Sequence, residues 1–147
     1  MARINDSTVG STPFQRVLGH NVKILESWNQ LGETFETSCS LSNHLKEQVR
    51  RTLAQKNGCE YCKEKGKPDP LTFDERTALA VGFAEAFLKL RGNMPDPLFD
   101  VLKNTFSEKE ISELCAYICF ISASQYFGAL IDLKQVNEDA ISVNKLE

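Results

Sequence analysis

Two cysteines, Cys59 and Cys62, stand three residues apart in the segment NGCEYCKEKGKP, residues 57–68. A redox-active dithiol needs two sulfurs that can approach to about 2 Å and one thiol that ionises near neutral pH. Residues three apart on a helix lie on one face, so this pair can close a small disulfide at the start of a helix. The unpaired N–H groups of a helix start also stabilise a nearby anion, which favours the thiolate that this chemistry requires.

Charged side chains of both signs surround the pair. Three lysines favour a thiolate and two glutamates oppose it: Lys56, Lys63 and Lys65 against Glu60 and Glu64. The net effect depends on distances in the folded chain, so a redox pair and two inert, buried thiols both stay open as interpretations.

Metal binding is the third and weakest interpretation of the pair. A structural zinc site needs four ligands, usually from a second cysteine or histidine pair at similar spacing. Cys115 and Cys119 are four residues apart, and His20 and His44 stand alone in separate segments. We therefore expect no metal and no other cofactor, and we expect each histidine to be a solvated or hydrogen-bonded side chain.

The composition is that of an ordinary globular protein. The 147 residues suffice for one domain, 41% of them are hydrophobic and 25% charged, and the net charge is −3. No basic excess indicates nucleic-acid binding. The longest strongly apolar run, 114–123, is about half of the ~20 residues that cross a bilayer, so we interpret it as a buried helix and expect no membrane association.

The N-terminal segment MARINDSTVGSTP lacks the apolar centre of a secretory signal, so we expect the protein to be cytoplasmic. In that reducing compartment, the five cysteines are not expected to form a structural disulfide framework, and any disulfide is expected to be transient. Cys39 is isolated. Cys115 and Cys119 lie inside the apolar run, where we expect them to be buried as small hydrophobic residues.

Helix signals dominate the chain and the period-2 alternation of strands is absent, which predicts an all-α fold. Residues 12–133 are predicted to form one compact multi-helix domain, with loosely ordered tails at 1–11 and 134–147. The predicted capping residues include Thr12 and the capping boxes Thr72–Glu75 and Ser107–Glu110. The helix after 107 is apolar nearly all round, which predicts a central, buried element.

Two elements must position the cysteines. A helix starting at residue 42 or 43 is predicted to stop at Asn57-Gly58, and a short helix of about two turns follows, ending near Gly66 because Pro68 and Pro70 break the chain. In the preceding helix an apolar stripe is predicted to be buried, with its tryptophan in the core and not in a substrate pocket; it consists of Ile24, Leu25, Trp28, Leu31 and Phe35.

The segment LKEQVRRTLAQKNGCEYC, residues 45–62, resembles the core of the carboxymuconolactone decarboxylase and alkylhydroperoxidase D superfamily. The similarity includes TPFQRVLGHNVKILESWNQLGETFETSCSLSNH, LTFDERTALAVGFAEAFLKL and FSEKEISELCAYICFISASQYFGALIDL, and it covers about residues 12–133. Over this length the chain is similar to the peroxidase-related branch. The resemblance implies an alkylhydroperoxidase D-like bundle that forms homo-oligomers (dimer, trimer or hexamer), with the cysteine pair beginning a core helix.

The resemblance also implies roles for individual residues. Glu47, twelve residues before Cys59, occupies the place of the glutamate in the family's proton relay. Cys62 corresponds to the peroxide-attacking thiol and Cys59 to the resolving thiol, while Tyr61 occupies a position that holds histidine or tyrosine. The family pattern Cys-x-x-Cys-x-x-x-His is broken at Gly66, where this chain lacks the histidine.

Without the resemblance, Glu47 is expected to be a solvated helix residue, as most glutamates are. Arg50-Arg51 is expected to be a solvated edge or a contact between subunits.

Three functions are consistent with these features. The first is a cofactor-free thiol oxidoreductase, a peroxiredoxin-like thiol peroxidase, that acts on a small hydroperoxide or a protein disulfide and takes electrons from a thiol donor. The second is a catalytically degenerate member that serves as a redox-sensitive oligomeric binding protein. The third, lactone decarboxylation, ranks last because the resemblance implies that relatives with that chemistry generally lack the cysteine pair.

Overall fold

The computed structural model describes residues 2–134. Within that range the chain forms six α-helices, two short 3₁₀-helices and no strand, so the predicted all-α fold class is confirmed. The segment 59–65, which contains the first 3₁₀-helix, is the cysteine turn. The α-helices are α1 (Pro13–Leu18), α2 (Val22–Thr37), α3 (Asn43–Ala54), α4 (Glu75–Leu90), α5 (Asp96–Lys103) and α6 (Glu108–Ile131); the 3₁₀-helices are Tyr61–Lys65 and Pro70–Thr72.

Side-chain caps determine where the helices begin. Thr12 caps α1, with Pro13 in its first turn, and Ser42 caps α3. At α6 the predicted capping box is complete, because Ser107 and Glu110 each accept a hydrogen bond from the backbone N–H of the other. Each such cap stabilises its helix by about 1 kcal/mol.

The predicted capping box of Thr72 and Glu75 is wrong. Asp74 is the N-cap of α4, and its carboxylate accepts a hydrogen bond from the backbone N–H of Thr77 at 2.7 Å. The Thr72 hydroxyl instead donates to the carbonyl of Asp69 at 2.7 Å. The Thr72 hydroxyl therefore belongs to the second 3₁₀-helix, and Asp74, two residues further along the chain, caps α4.

The core lies between α3, α4 and α6. α3 packs along both other helices, and its apolar face is buried. Burial of each Val or Leu side chain stabilises the fold by about 1.5–3 kcal/mol. This packing fixes α3 and α6, and both of these helices contact the cysteine turn. The most deeply buried members are Leu45, Val49, Leu53, Ala80, Ala84, Leu114 and Ile118.

The predicted burial of the α2 stripe is wrong at two positions. Ile24 and Leu31 are 48% and 46% exposed, and Leu25, at 4%, is the only stripe residue that is fully buried. α2 contacts α6 through the half-buried rings of Trp28 and Phe35, which pack on aromatic residues of α6. The apolar stripe is wider than this contact, so its flanks face outward.

α6 is apolar nearly all round but buried on one side only, which corrects the prediction that it is a central, buried element. Cys119 is exposed and Cys115 half-buried, so the prediction that both are sealed in the core is wrong. By length and composition, α6 could also span a bilayer, with a mean hydropathy of 1.6 in an 18-residue window of which 33% is buried. The central helix of a globular protein meets the same criterion.

The N-terminal residues before α1 contact two helices. The backbone N–H of Arg3 donates to the carbonyl of Ile131 at 2.7 Å, and the Ser7 hydroxyl donates to the carbonyl of Arg16 at 2.6 Å. The predicted domain boundaries at 12 and 133 stay a prediction. Of the predicted C-terminal tail, 134–147, all but Lys134 lies outside the described residues, as does Met1.

Candidate functional site

The cysteine pair lies in the cysteine turn, just after α3. Gly58 has a φ of +81°, in the left-handed region that favours glycine, and it turns the chain away from the axis of α3. Cys59 and Cys62 then follow with their Cα atoms 5.2 Å apart, and their sulfurs are joined as a disulfide. The spacing of the pair therefore allows the ring closure that the sequence predicts.

The helix that carries the pair is short. The sequence predicts an end near Gly66, and the 3₁₀-helix Tyr61–Lys65 ends there, with Gly66 at a φ of +90°. The pair does not begin a core helix, contrary to what the resemblance implies. The left-handed glycine and the proline at position 68 end the helix before it can extend into the core.

The two sulfurs have different surroundings. Cys59 is 0% exposed, whereas Cys62 is partly exposed and lines a cavity. The backbone N–H of Cys62 donates a hydrogen bond to Sγ of Cys59 at 3.2 Å. Such a donor stabilises negative charge, so it favours a thiolate on Cys59 when the disulfide opens.

Gly128 of α6 supports the disulfide, and sequence analysis missed it. A Cβ at this position would lie 2.5 Å from Sγ of Cys59, so a side chain would collide with that sulfur, and it would lie 3.6 Å from Sγ of Cys62, in ordinary contact. The sequence did contain a signal for this role, namely a glycine inside an apolar helix. Glycine lowers helix stability by about 1 kcal/mol relative to alanine, so its presence there usually has a packing reason.

Cys62 and Tyr61 open onto a cavity of about 610 Å³ between α1, α2, α6 and the cysteine turn. Its apolar wall consists of the rings of Phe14, Trp28 and Phe120, with the Trp28 centroid 6.5 Å and 5.8 Å from the other two. This volume lies in the range of about 300–1,000 Å³ that small-molecule sites occupy.

Trp28 belongs to this wall, so the prediction that it is only a core residue is wrong. Its ring is half-buried, and its Nε1–H donates a hydrogen bond to the Ser124 hydroxyl at 2.9 Å. Ser124 also lines the cavity. Helical periodicity places Trp28 on the inward side of α2, but it does not distinguish a packed interior from a hollow one.

Glu47 lines a second cavity, of about 400 Å³, between α2, α3 and α6. The two cavities have a common wall, so Glu47 and Cys62 face the same group of side chains from different sides. The shared residues are Gly32, Glu36, Arg50, Lys65, Phe120 and Ile121.

The Glu47 carboxylate is bound by two arginines of its own helix. Arg50 donates to it from Nε at 2.9 Å and from Nη2 at 2.8 Å, and Arg51 donates from Nε at 3.0 Å. Burial by itself raises the pKa of Glu47, but the hydrogen bonds of the two arginines and the charges of Arg50 and Lys65 outweigh it and lower the pKa to about 2. Glu47 is therefore a carboxylate at neutral pH.

Arg50 connects Glu47 to the cysteine turn. Its Nη1 donates a hydrogen bond to the carbonyl oxygen of Cys62 at 3.0 Å, and its side chain is 13% exposed. The prediction that Arg50 is a solvated edge is therefore wrong, whereas a contact of Arg50-Arg51 between subunits stays a prediction. The spacing of Glu47, Arg50 and Arg51, at i, i+3 and i+4, was a readable signal for the ion pairs, whereas the contact with Cys62 depends on the fold.

Tyr61 keeps its proton at neutral pH. Burial raises the pKa of its hydroxyl, the charge of Glu64 raises it further, and Arg16 partly offsets the two. The phenol can donate a hydrogen bond into the cavity, but it does not act as a base near pH 7.

Neither histidine lines either cavity. Nε2 of His20 lies 2.7 Å from the carbonyl of Asn5, and Nε2 of His44 lies 3.2 Å from the carbonyl of Thr72. Among the described residues, no group of three or more His, Cys, Asp and Glu side chains comes together in a way that could hold a metal ion.

The comparisons with known proteins concern the fold. A crystal structure from Agrobacterium tumefaciens matches with a TM-score of 0.72 and 17% identity, covering 94% of this chain and 100% of that chain. That protein is of unknown function and is provisionally named the antioxidant defence protein AhpD. No family model matches the chain, and no curated protein matches it. The chain therefore has an AhpD-like, all-helical fold.

The ion pairs of Glu47 make a testable contribution to stability. A folded-state pKa below the ordinary 4.5 stabilises the fold above that pH, and the stabilisation is lost as the pH falls from 4.5 towards 2. After allowance for partial exposure, we expect Glu47→Gln to lower the free energy of unfolding by about 1–2 kcal/mol at pH 7.

Urea unfolding at pH 7 and at pH 2.5 measures this effect, with the exposed Glu85→Gln as the matched control. The cost of Glu47→Gln should shrink at pH 2.5 and that of the control should stay near zero. An equal cost at both pH values would contradict the ion-pair interpretation.

Gly128→Ala should destabilise the protein by about 1–3 kcal/mol, because the new Cβ would overlap Sγ of Cys59. With Cys59→Ala in the same chain, the overlap disappears and Gly128→Ala should become neutral or stabilising by up to about 1 kcal/mol. Gly82→Ala, at a helical glycine with nothing within 4 Å of an added Cβ, is the control and should stabilise in both backgrounds. Equal costs of Gly128→Ala with and without Cys59 would refute the contact.

Proposed function

We propose that the protein is a thiol-dependent oxidoreductase that uses Cys62 and Cys59 to reduce hydroperoxides or to exchange disulfides. The observation that carries this proposal is the asymmetry of the pair, in which Cys62 opens onto a large cavity while Cys59 is sealed against α6. A reagent in the cavity can therefore reach Sγ of Cys62 but not Sγ of Cys59. The burial thus matches the roles that the resemblance implies, with Cys62 as the attacking thiol and Cys59 as the resolving thiol.

In the oxidising half-reaction, the thiolate of Cys62 attacks the terminal oxygen of a hydroperoxide and the O–O bond breaks. The alkoxide leaves and takes up the proton that the Cys62 thiol had released to water, which gives an alcohol, while Cys62 becomes a sulfenic acid. The thiol of Cys59 then attacks the sulfenic sulfur, and its proton leaves with the hydroxyl group as water. The sum is a dithiol and a hydroperoxide converted to a disulfide, an alcohol and water.

In the reducing half-reaction, a thiolate of an external dithiol donor attacks Sγ of Cys62. The disulfide bond breaks and Cys59 leaves as a thiolate, which accepts the hydrogen bond from the N–H of Cys62. A stabilised leaving thiolate speeds this exchange. The second thiol of the donor then releases Cys62, and the donor becomes a disulfide.

The cavity supports an organic substrate. Phe14, Trp28 and Phe120 offer an apolar surface for the carbon part of a hydroperoxide, and the neutral phenol of Tyr61 offers a hydrogen bond to the departing oxygen. We propose the same cavity as the entrance for the donor thiol, since Cys62 is reached from it.

The second candidate function is a redox-sensitive binding protein without peroxidase activity. Two observations favour it. Gly66 stands where the family pattern has a histidine, and the ion pairs of Glu47 keep its carboxylate ionised at neutral pH, so it does not exchange protons there. The exposed apolar residues of α2 and α6, such as Ile24, Leu31 and Leu130, support the proposed homo-oligomer in either case.

Substitution of each cysteine tests the leading function. The reduced protein should consume cumene hydroperoxide with loss of both thiols, and Cys62→Ser should slow this by a factor on the order of 10² or more because the attacking sulfur is gone. Cys59→Ser should still react once, leaving a sulfenic acid at Cys62 that dimedone traps and mass spectrometry locates.

Cys119→Ser is the control, because it removes an exposed thiol outside the pair. Its rate should equal that of the wild-type protein. If Cys62→Ser consumes hydroperoxide as fast as Cys119→Ser does, the proposed peroxidase chemistry is excluded.

Gly66→His tests whether the missing histidine can simply be restored. The backbone at Gly66, with φ +90° and ψ −174°, is a conformation essentially restricted to glycine, and an added Cβ faces no described atom within 4 Å. We expect this substitution to cost about 1–3 kcal/mol of stability and to leave the hydroperoxide rate unchanged. Gly92→His, at an exposed glycine that also has open space, controls for the added imidazole. A tenfold or greater rise with Gly66→His alone would favour the degenerate-site alternative.

A further inference from the structure

The guanidinium of Arg50 binds two parts of the site at once. Nη1 donates to the backbone carbonyl of Cys62 at 3.0 Å, while Nε and Nη2 donate to the two oxygens of the Glu47 carboxylate at 2.9 Å and 2.8 Å. The side chain is 13% exposed, and it lines both cavities. A positive charge is therefore held in a fixed position next to the residue whose sulfur faces the cavity.

The backbone beneath Arg50 is also fixed. Nε2 of Gln125 on α6 donates to the carbonyl of Arg50 at 3.1 Å, and Oε1 of Gln125 accepts from Nδ2 of the buried Asn57 at 2.8 Å. α3, α6 and the chain entering the cysteine turn are thus joined by one hydrogen-bonded chain, which leaves the arginine little freedom to move away from Cys62.

Glu47 is the counter-ion of this arginine. Oε1 accepts from Arg50 and from Arg51, and Oε2 accepts from Arg50, so donors occupy both oxygens. A partly buried guanidinium needs such a partner to offset its loss of water. A carboxylate held in this way orients the arginine. The relay role implied by the resemblance would instead require the Glu47 carboxylate to exchange a proton.

We propose that Arg50, oriented by Glu47, stabilises the thiolate of Cys62 and so takes the place of the histidine that the family pattern puts at position 66. This inference rests on the proposed function of the pair. Arginine stays charged at every working pH, so it does not accept the thiol proton, which leaves to water. Arg50 thus makes the thiolate more stable without acting as a base.

Arg50 is the least exposed of the charged side chains that line the larger cavity with Cys62. Three carboxylates line the larger cavity with it, and each opposes a thiolate there. These three carboxylates and Lys65 are all exposed, so water and salt weaken the effect of each on Cys62, whereas the Arg50 side chain is 13% exposed. The charged residues of this lining are Glu33, Glu36, Glu64, Lys65 and Arg50.

The remaining groups contribute less. Within the cysteine turn, the side chains of Lys63 and Glu60 are 32% and 54% exposed, so water and salt screen both charges, and Tyr61 is neutral near pH 7. α6 faces the cavity with the uncharged Ser124 and Gln125. Nη1 of Arg50 lies 3.0 Å from the carbonyl oxygen of Cys62, so its charge acts on this residue from well within the screening length of about 8 Å in physiological salt.

The test measures the ionisation of Cys62 directly. In the full chain carrying Cys59→Ser, Cys62 is the one free thiol of the pair, and its alkylation by iodoacetamide is followed by peptide mass spectrometry from pH 5 to pH 10. With Arg50→Gln added, the midpoint should move up by about one pH unit and the rate at pH 7 should fall by about tenfold. Arg50→Lys, which keeps the charge, should recover at least half of the shift.

Arg51→Gln is the matched control. Arg51 also binds Glu47, but its Nη1 donates to the carbonyl of Lys67 and not to Cys62. Its alkylation midpoint should stay within about 0.2 pH units of the parent, because the effect depends on proximity to Cys62. A shift with Arg51→Gln as large as that with Arg50→Gln would overturn a specific role for Arg50.

A second variant covers the case in which Arg50→Gln alone does not fold. Glu47→Gln with Arg50→Gln removes both charges, so no unpaired ion is left partly buried. The midpoint for Cys62 should still rise, because the arginine is the closer of the two groups to Cys62. An unchanged or lowered midpoint in this folded double variant overturns the inference.

Alkylation needs no peroxidase activity, so the two proposals can fail separately. If the wild-type protein does not consume hydroperoxide while Arg50→Gln still shifts the midpoint, the proposed peroxidase reaction falls and the role of Arg50 stands. If hydroperoxide is consumed through Cys62 while the midpoint does not move, only the role of Arg50 falls.

Discussion

Close packing between α6 and the cysteine turn underlies the rest of the site. Gly128 lacks a side chain, and only for that reason can Cys59 lie directly against the backbone of α6 with its sulfur sealed from water. The bond to Cys62 then fixes where the second sulfur lies, at the edge of the aromatic cavity. Gly128 therefore lowers the helix propensity of α6 by about 1 kcal/mol relative to alanine, and in return the cysteine pair can lie in this orientation.

The state of Glu47 depends on its neighbours more than on its position in the motif. The residue stands at the spacing that the resemblance requires, yet two arginines one turn further along α3 bind its carboxylate and lower its pKa to about 2. A glutamate that exchanges protons near neutral pH needs an environment that penalises its charge. Here the arrangement favours the charge, and Gly66 stands where the family pattern has the histidine, so neither position supplies a group that exchanges protons near neutral pH.

Much of the fold can be predicted from the sequence because its signals are local. The all-α class, the cap at Ser42, the capping box at Ser107 and the short turn ending at Gly66 each depend on residues within about one helical turn. The misses depend on contacts between distant segments. Periodicity assigns Trp28 an inward face but not the cavity behind it, and an arginine pair looks solvated until the cysteine turn folds back over Arg50.

The disulfide and the aromatic surface that faces it come from different parts of the chain. α3, α6 and the cysteine turn hold the sulfurs, whereas Phe14 of α1 and Trp28 of α2 supply much of the wall opposite. Replacement of these rings can change the size and shape of molecules admitted to Cys62 while the geometry of the pair stays intact. The choice of molecules that reach Cys62 and the reactivity of the cysteine pair can therefore change independently during evolution, because they depend on different segments of the chain.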